Sequence, residues 1–355
     1  MHPSSRYVVA KAAMMLTLGG LITTSNLASS QDFDGISPVE ADRWMYPFNQ
    51  TPGFRTGGSV FGFCPYPPTN QVDNRDGQII LAFDTTDIVA PGQGADQYQV
   101  DSLVVEITLR GDASGPLDLT PDAWQTYLPS SEEAYQADTD AGRPIEMFAA
   151  GFRGDFTRLT WFEEAPFSVG SPFGVNNRIA FAAGFVDEQG TLEDVSSSFN
   201  DEVTPTPIAI GDFANVEPGE TPLINDVAIF EFDLTVPGAE AWVQESLNEG
   251  RLAVAITSLI GAAQGDSTLT QFYLRENQLV IVGVVDPAVI SLSGTIGSTC
   301  DAPGDLNNDC KIDGSDLGIF LGLWGQGAGS PGDLNGDGAV NGGDLGTILA
   351  TYGSY

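Results

Sequence analysis

The chain has 355 residues, of which 48 are acidic and 13 basic, and its formal net charge is −35. A surface this negative repels phosphate backbones and anionic lipid headgroups, so nucleic acids and membrane surfaces are poor candidate partners. The one histidine is His2. If the N-terminus is removed, histidine-dependent nucleophilic catalysis and histidine zinc sites are excluded.

The first thirty residues have the pattern of a cleaved signal peptide. Arg6 and Lys11 flank the start of a short apolar stretch, and the small residues Ala28 and Ser30 precede the expected cleavage site. The alternative, a membrane anchor, needs about 20 apolar residues, and this stretch is much shorter. Cleavage would leave no histidine, and 11 basic against 48 acidic side chains gives −37. We therefore expect a secreted protein, extracellular or on the cell surface, without membrane insertion.

Residues 31–292 predict a mainly β domain with the character of a β-sandwich. Short β-branched and aromatic runs are separated by clusters of Pro, Gly, Asp and Asn. Two short helical insertions are predicted, one starting at Thr120-Pro121 and one running from Ala239 to Glu249. Residues 293–303 are rich in small side chains and predict a linker. The predicted strands are Gln78–Asp84, Tyr98–Leu109, Ile145–Phe152, Arg178–Phe185, Val227–Leu234, Arg251–Thr257 and Gln278–Val285.

Residues 304–355 contain an internal repeat with a period of 28 residues, which aligns 305–316 with 333–344. Both segments place oxygen-bearing side chains at loop positions 1, 3, 5, 9 and 12, and each leads into a short apolar helix, 317–324 and 345–352. Calcium takes about six to eight oxygen ligands, one of them the backbone carbonyl at position 7. The sequence therefore predicts two calcium ions. The predicted ligands are Asp305, Asn307, Asp309, Lys311, Asp313 and Asp316 for one ion, and Asp333, Asn335, Asp337, Ala339, Asn341 and Asp344 for the other.

This pair of loops resembles the type I dockerin module over about 50 residues, and is also similar to tails on secreted proteins of planctomycete bacteria. The resemblance implies a small α-helical, paired EF-hand-like domain that docks onto a cohesin-like or cell-surface protein, often in polysaccharide metabolism. The chain departs from the cellulosomal pattern at loop positions 10 and 11. Gly314-Ser315 and Gly342-Gly343 stand there in place of paired hydroxyl residues. The departure concerns docking rather than calcium binding.

The tail also predicts a disulfide between Cys300 and Cys310. Cys310 occupies loop position 6, where glycine normally takes a left-handed conformation, and a covalent bond would help a cysteine to bear that strain. Cys300 lies ten residues upstream, and secretion permits the bond. Cys64 would then remain unpaired; a link from Cys64 to either tail cysteine is the alternative.

The large domain shows no recognisable catalytic constellation. Trp44 and Tyr46 lie in an aromatic segment that could bind a glycan or pack across the open end of a sandwich. Trp161 precedes Glu163 and Glu164, but adjacent residues of an extended segment point to opposite faces, so these two acids cannot both flank one bond. The predicted glycan-binding residues are therefore the three aromatics, and the two acids are interpreted as part of a turn or strand end.

Parts of the large domain resemble secreted β-sandwich modules of the DNRLRE type, which are similar to carbohydrate-binding jelly rolls. The matching pieces are Ile79–Asp84, Val100–Ile107, Ala241-Trp242 and Phe272–Glu276. The resemblance implies a jelly-roll-like sandwich that binds a polysaccharide or cell-surface glycan. Two alternatives stay open: a hydrolase of O-glycosyl bonds or a lyase that uses paired carboxylates, and a structural cell-surface protein with no small ligand.

Overall fold

A computed structural model describes residues 30–49, 54–261, 269–297, 303–307 and 312–353. The predicted signal peptide and the predicted Cys300–Cys310 disulfide lie outside the described residues. The strands are β1 Gln31–Pro38, β2 Ala41–Met45, β3 Gly57–Val60, β4 Gln78–Asp84, β5 Tyr98–Thr108, β6 Glu146–Phe152, β7 Ala180–Phe185, β8 Leu192–Asp194, β9 Ala209–Ile210, β10 Asp212–Phe213, β11 Val227–Glu231, β12 Arg251–Thr257, β13 Thr270–Tyr273 and β14 Val289–Ile296. The helices are α1 Ala239–Glu249, α2 Gln278–Ile281, α3 Gly314–Gly322 and α4 Gly342–Thr351.

The strands form two larger antiparallel sheets and a small ribbon. The first sheet has the order β1-β14-β5-β11-β10, and the second has the order β2-β4-β12-β6-β7-β8, with β9 paired to β6. β3 and β13 form the ribbon. The protein is thus mainly β with antiparallel sheets, as predicted, and the arrangement is compatible with a β-sandwich.

The main hydrophobic core contains side chains from both larger sheets. In the first sheet, Leu103, Val105 and Ile107 of β5 enter this core while the residues between them are less buried. Such alternation is expected of a sheet with one wet face. The second sheet is different, because β4 and β12 are buried on both faces: Leu81 and Val254 enter the main core. Their neighbours enter a second core that includes Phe148 and Trp161.

The structure confirms the predicted helix Ala239–Glu249, whose end at Gly250 has a left-handed φ of 81°. The predicted strand Gln278–Val285 is wrong. Its first half is the helix α2, because the Asn277 side chain accepts a hydrogen bond from the Leu279 N–H at 3.0 Å and caps it. The apolar, β-branched composition of this segment concealed the cap. The predicted insertion after Thr120 is only a short 3-10 turn, Trp124–Tyr127.

Two boundaries also differ from the prediction. β14 continues to Ile296, so the first four residues of the predicted 293–303 linker belong to the sheet, where they pair with β1 and β5. α3 and α4 begin at Gly314 and Gly342, three residues before the apolar segments that predicted them. Among the described residues, no helix combines the length and the apolar character needed to cross a bilayer.

Two buried arginines join the loops to the second sheet. The Arg75 guanidinium donates to Glu146 Oε2 from Nη2 at 2.7 Å, and the Arg178 guanidinium donates to Asp73 Oδ2 from Nε at 2.6 Å. Arg75 and Arg178 are each 1% exposed. Arg178 also donates to the Met45 carbonyl of β2 at 2.6 Å. Charges this deeply buried are tolerated only when they are paired and hydrogen-bonded.

We expect Arg75→Leu to destabilise the protein by about 3–5 kcal/mol, because Glu146 would remain buried without its partner. Adding Glu146→Leu should recover at least half of that loss, since no uncompensated charge remains. Urea denaturation measures both effects. Arg110→Leu is the control, because Arg110 is exposed and its guanidinium donates to the neutral side chain of Gln271. A cost for Arg75→Leu no larger than that of the control would contradict this account.

Candidate functional site

The repeat in the tail sequence is also a repeat in space. Ile312 and Val340, 28 residues apart, lie in a small core with Phe320 and Ile348. The Ile312 carbonyl accepts a hydrogen bond from the N–H of Gly353, which follows α4, at 2.9 Å. The Val340 carbonyl accepts one from the N–H of Gly325, which follows α3, at 3.0 Å. The two halves of the tail therefore hold each other through matching contacts.

The two carboxylates at loop position 12 have the same partners. Asp316 and Asp344 are both fully buried. In each, Oδ1 accepts from the N–H groups of loop positions 2 and 3, and Oδ2 accepts from the N–H of position 9. These backbone donors, Asn341 N–H first, hold the pKa of Asp344 below its ordinary value. In both halves of the tail, these hydrogen bonds close the loop onto the helix that follows it.

In loop 333–344 the predicted ligand side chains accept hydrogen bonds from backbone N–H groups of the loop and of the first turn of α4. Asp333 Oδ2 accepts from the Gly338 N–H at 2.9 Å, whereas Asp333 Oδ1 is buried and has no hydrogen-bond partner among the described residues. Asp337 Oδ1 accepts from the Ala339 N–H at 3.0 Å, and Asn341 Oδ1 accepts from the Gly343 N–H at 2.8 Å. A bare carboxylate oxygen among other hard oxygens fits a cation such as calcium.

The first loop is described only in part. Asp305, Asn307, Asp313 and Asp316 lie within the described residues, and the Asp313 side chain caps α3 as Asn341 caps α4. The predicted ligands Asp309 and Lys311 lie outside the described residues, as do Cys300 and Cys310. Cys64 has a free thiol in the described part of the chain, and burial raises its pKa to about 12.

The predicted glycan-binding aromatics fall in two different places. The rings of Trp44 and Tyr46 stack with their centroids 4.8 Å apart, and the ring of Tyr46 contacts that of Phe48 at a centroid distance of 5.3 Å. Phe48 contacts Phe173, also at 5.3 Å, and these last two rings are 56% and 49% exposed. We call these four residues the aromatic row. Trp161 is elsewhere and is only 1% exposed, so its ring offers no stacking face to a glycan in this conformation.

Burial alternates along the segment that follows Trp161. Phe162 and Glu164 are exposed, whereas Glu163 is 8% exposed. Glu163 lies beside Asp42 of β2 and Glu276, which comes shortly after β13, and carboxylate oxygens of these three residues lie within 4.8 Å of one another. We call them the carboxylate triad. The two glutamates of the segment therefore do not form a pair.

Burial and mutual repulsion raise the pKa values of all three carboxyl groups of the triad. The pKa of Asp42 is raised to about 7 by burial and by the charge of Glu163, against the opposing effect of the Arg275 backbone N–H and guanidinium. Burial, and then the charge of Glu276, raises the pKa of Glu163 to about 7. The pKa of Glu276 is raised by burial and by Asp42. Such shifts are typical of functional sites, although structural clusters show them too.

One member of the triad, Glu163, lines a cleft of about 560 Å³. Glu163 and Arg275 line this cleft together with Arg251, whose guanidinium donates to Glu40 Oε2 at 2.8 Å. A second group of acids, Asp118, Asp122 and Asp140, also comes together. There, however, Arg143 is 2.8 Å from Asp122 Oδ2, so the group already contains a positive charge.

Sequence reasoning found the tail loops but missed the triad. More than a hundred residues separate each member of the triad from the next along the chain, and isolated acids are common in a chain with 48 of them. The signal that could have helped was the alternation after Trp161, which predicts that Glu163 points inward. No model of a known protein family matches the chain, and no curated protein matches it.

The raised pKa values predict how stability changes with pH when a chelator is present. Asp42 and Glu163 have folded-state pKa values of about 7, above their ordinary values of 3.8 and 4.5. The folded protein therefore binds more protons than the unfolded chain in this window, and stability falls as pH rises from about 4 to about 7. Glu163→Gln should flatten this fall in urea denaturation.

The charged side chains around Glu163 are the same in the wild type and in Glu163→Gln. Arg275, Arg43 and Glu164 all face Glu163 or its triad partners, and none is changed by the substitution. Glu164→Gln removes the exposed neighbouring charge and serves as the control, with an expected pH dependence like that of the wild type. Superimposable curves for all three proteins would rule out the triad as the source of the pH dependence.

Proposed function

We propose that the chain is a secreted calcium-binding protein with two parts. The large domain binds a polysaccharide or cell-surface glycan, and the dockerin-like tail attaches the protein to a partner. The observation that carries this proposal is the duplicated closure of the tail loops by Asp316 and Asp344, which receive the same three backbone hydrogen bonds 28 residues apart.

Calcium binding is supported by the donor set. Within the described part of the second loop, Asp333, Asp337 and Asp344 supply carboxylates, and Asn335 and Asn341 supply amide oxygens. These carboxylates repel one another, and a divalent cation would compensate their charge. The short helices α3 and α4 are marginal alone, so the ion would also stabilise the tail. The second ion would use the corresponding residues of the first loop.

Docking of the tail is supported by an apolar surface that repeats with the sequence. Leu321 and Trp324 at the end of α3 are 56% and 50% exposed, and their counterparts Leu349 and Tyr352 at the end of α4 are 56% and 49% exposed. Exposed apolar groups of this kind mark protein interaction sites. The proposed partner is a cohesin-like or cell-surface protein.

Glycan binding is supported by the β-sheet architecture and by the aromatic row. A jelly-roll-like sandwich with half-exposed aromatic rings is the arrangement that the resemblance to carbohydrate-binding modules implies. The rings of Phe48 and Phe173 are about half exposed to solvent. The partly buried ring of Tyr46 packs against Phe48, and Trp44 stacks on Tyr46. Aromatic rings present large apolar faces at low entropic cost, which suits stacking on sugar rings.

A glycoside hydrolase is the alternative that one observation favours, the raised pKa of Glu163 beside a cleft. A carboxyl group that is protonated near neutral pH can serve as a general acid. The triad, however, is a cluster of three acids of which only Glu163 lines the cleft, whereas a glycosidase needs two carboxyl groups that flank the scissile bond. The non-catalytic proposal therefore ranks first.

Calcium titration of the full chain tests the tail. We expect Asp333→Asn to reduce the number of bound calcium ions by one, because it removes the bare oxygen of the second loop. Asp305→Asn should do the same for the first loop. Asp101→Asn, an exposed acid of β5, is the control and should leave the number unchanged. An unchanged number in all three variants would refute calcium binding by the tail.

A polysaccharide pull-down with the full chain tests the large domain. The same assay records the protein retained by a panel of insoluble polysaccharides and the soluble sugar released. We expect retention without release, and a loss of about tenfold in affinity for Phe48→Ala or Phe173→Ala, since one stacking ring is worth about 1–1.5 kcal/mol. Phe162→Ala is the matched control, because Phe162 is 50% exposed but lies outside the aromatic row. Release of sugar would favour the hydrolase.

A further inference from the structure

Each residue of the carboxylate triad has one buried oxygen without a hydrogen-bond partner among the described residues. Asp42 is 2% exposed and Glu163 is 8% exposed. Asp42 Oδ1, Glu163 Oε1 and Glu276 Oε2 are all buried and accept no hydrogen bond from the described part of the chain. A buried carboxylate oxygen without a donor or a positive partner carries a large desolvation cost. Here the cost occurs three times within one cluster.

The available cations reach only the other oxygen of each carboxylate. Arg275 Nε lies 3.3 Å from Glu276 Oε1 and 3.8 Å from Glu163 Oε2. The Arg275 backbone N–H donates to Asp42 Oδ2 at 2.8 Å. Arg43 adds a second positive charge nearby, but its Nη1 donates to the backbone carbonyl of Glu163 at 3.2 Å. Two guanidinium groups therefore lie near three acids, and neither donates a hydrogen bond to the three bare oxygens.

We propose that Asp42, Glu163 and Glu276 form a divalent-cation site of the calcium type in the large domain, distinct from the tail loops. Calcium–oxygen distances are about 2.3–2.6 Å, so one ion spans ligand oxygens up to about 5 Å apart. The triad oxygens, within 4.8 Å of one another, are in reach of a single ion. Calcium suits the site better than magnesium, which keeps several waters and is seldom enclosed by protein carboxylates alone.

The ion would connect three distant parts of the chain. Asp42 belongs to the edge strand β2, Glu163 to the segment that follows Trp161, and Glu276 to the turn between β13 and α2. Glu163 and Arg275 also line the cleft, so the proposed site borders it on one side. Binding would hold this wall of the cleft in place, whatever the cleft accepts.

The test uses the full chain with both tail loops disabled by Asp305→Asn and Asp333→Asn. Terbium replaces calcium as a luminescent probe, with excitation through Trp161 and Trp44, each two residues from a triad acid. We expect luminescence that saturates at one ion per chain and is displaced by calcium. Glu163→Gln should weaken terbium binding by at least about tenfold, since even an outer-shell partner is typically worth that much.

The control is Glu164→Gln, which removes the same charge from the exposed neighbouring residue and should change terbium affinity by less than about twofold. Urea denaturation gives a second readout, because the order of stability of Glu163→Gln and its parent should reverse between chelator and calcium. In chelator, Glu163→Gln should be at least as stable as its parent, because repulsion is relieved; in calcium, the parent should gain stability and the variant should not. This result is possible only if Glu163→Gln folds, so it also controls for misfolding.

Two outcomes would overturn the proposal. The first is the absence of sensitised luminescence together with equal stability in calcium and in chelator, which would mean that the triad shares protons instead. The second is an equal loss of terbium affinity in Glu163→Gln and Glu164→Gln, which would mean that the ion is held by the diffuse negative surface. Neither outcome bears on the tail, whose loops are disabled in every protein compared.

Discussion

The fold depends on finding a positive partner for each carboxylate that it removes from water. The chain has 48 acidic and 13 basic side chains, so positive partners are scarce. Within the second sheet and its loops, the arginines fill that need: Arg75 with Glu146 and Arg178 with Asp73 are enclosed pairs, and Arg153 with Asp194 and Arg158 with Glu249 fasten more exposed loops. The two enclosed pairs fix where their loops lie, because a charge that loses its partner there has no access to water.

The same constraint has a different solution where arginines do not reach. In the tail, Asp316 and Asp344 are satisfied by backbone N–H groups, while Asp333 keeps one bare oxygen. In the triad, Arg275 contacts one oxygen of each carboxylate, and the other oxygen has no hydrogen-bond partner among the described residues. In both places the described residues leave buried carboxylate oxygens without a hydrogen-bond donor, and the proposed divalent cations would compensate them.

The sequence predicted those features that depend on neighbouring residues. Helix Ala239–Glu249 has its own stop signal at Gly250, and strands Gln78–Asp84 and Arg251–Thr257 have apolar runs long enough to be recognised. The 28-residue repeat in the sequence has a counterpart in the structure, where the two halves of the tail make matching hydrogen bonds. Where a single polar residue decided the outcome, as Asn277 did by capping α2, the apolar pattern was misleading.

What the sequence could not supply was contact between distant segments. Asp42, Glu163 and Glu276 come together because β2 pairs with β4 while the segment after Trp161 folds over the second core, and neither event leaves a local pattern. The burial of Trp161 has the same origin, since only the folded loop encloses its ring. Long-range placement is therefore what the structure adds.

One measurement tests the central claim most directly: an anomalous difference map from crystals of the full chain grown in calcium. The account predicts calcium peaks bounded by Asp333 in the tail and by Asp42, Glu163 and Glu276 in the large domain. A well-ordered map that shows only water, or nothing, between these carboxylates would contradict it.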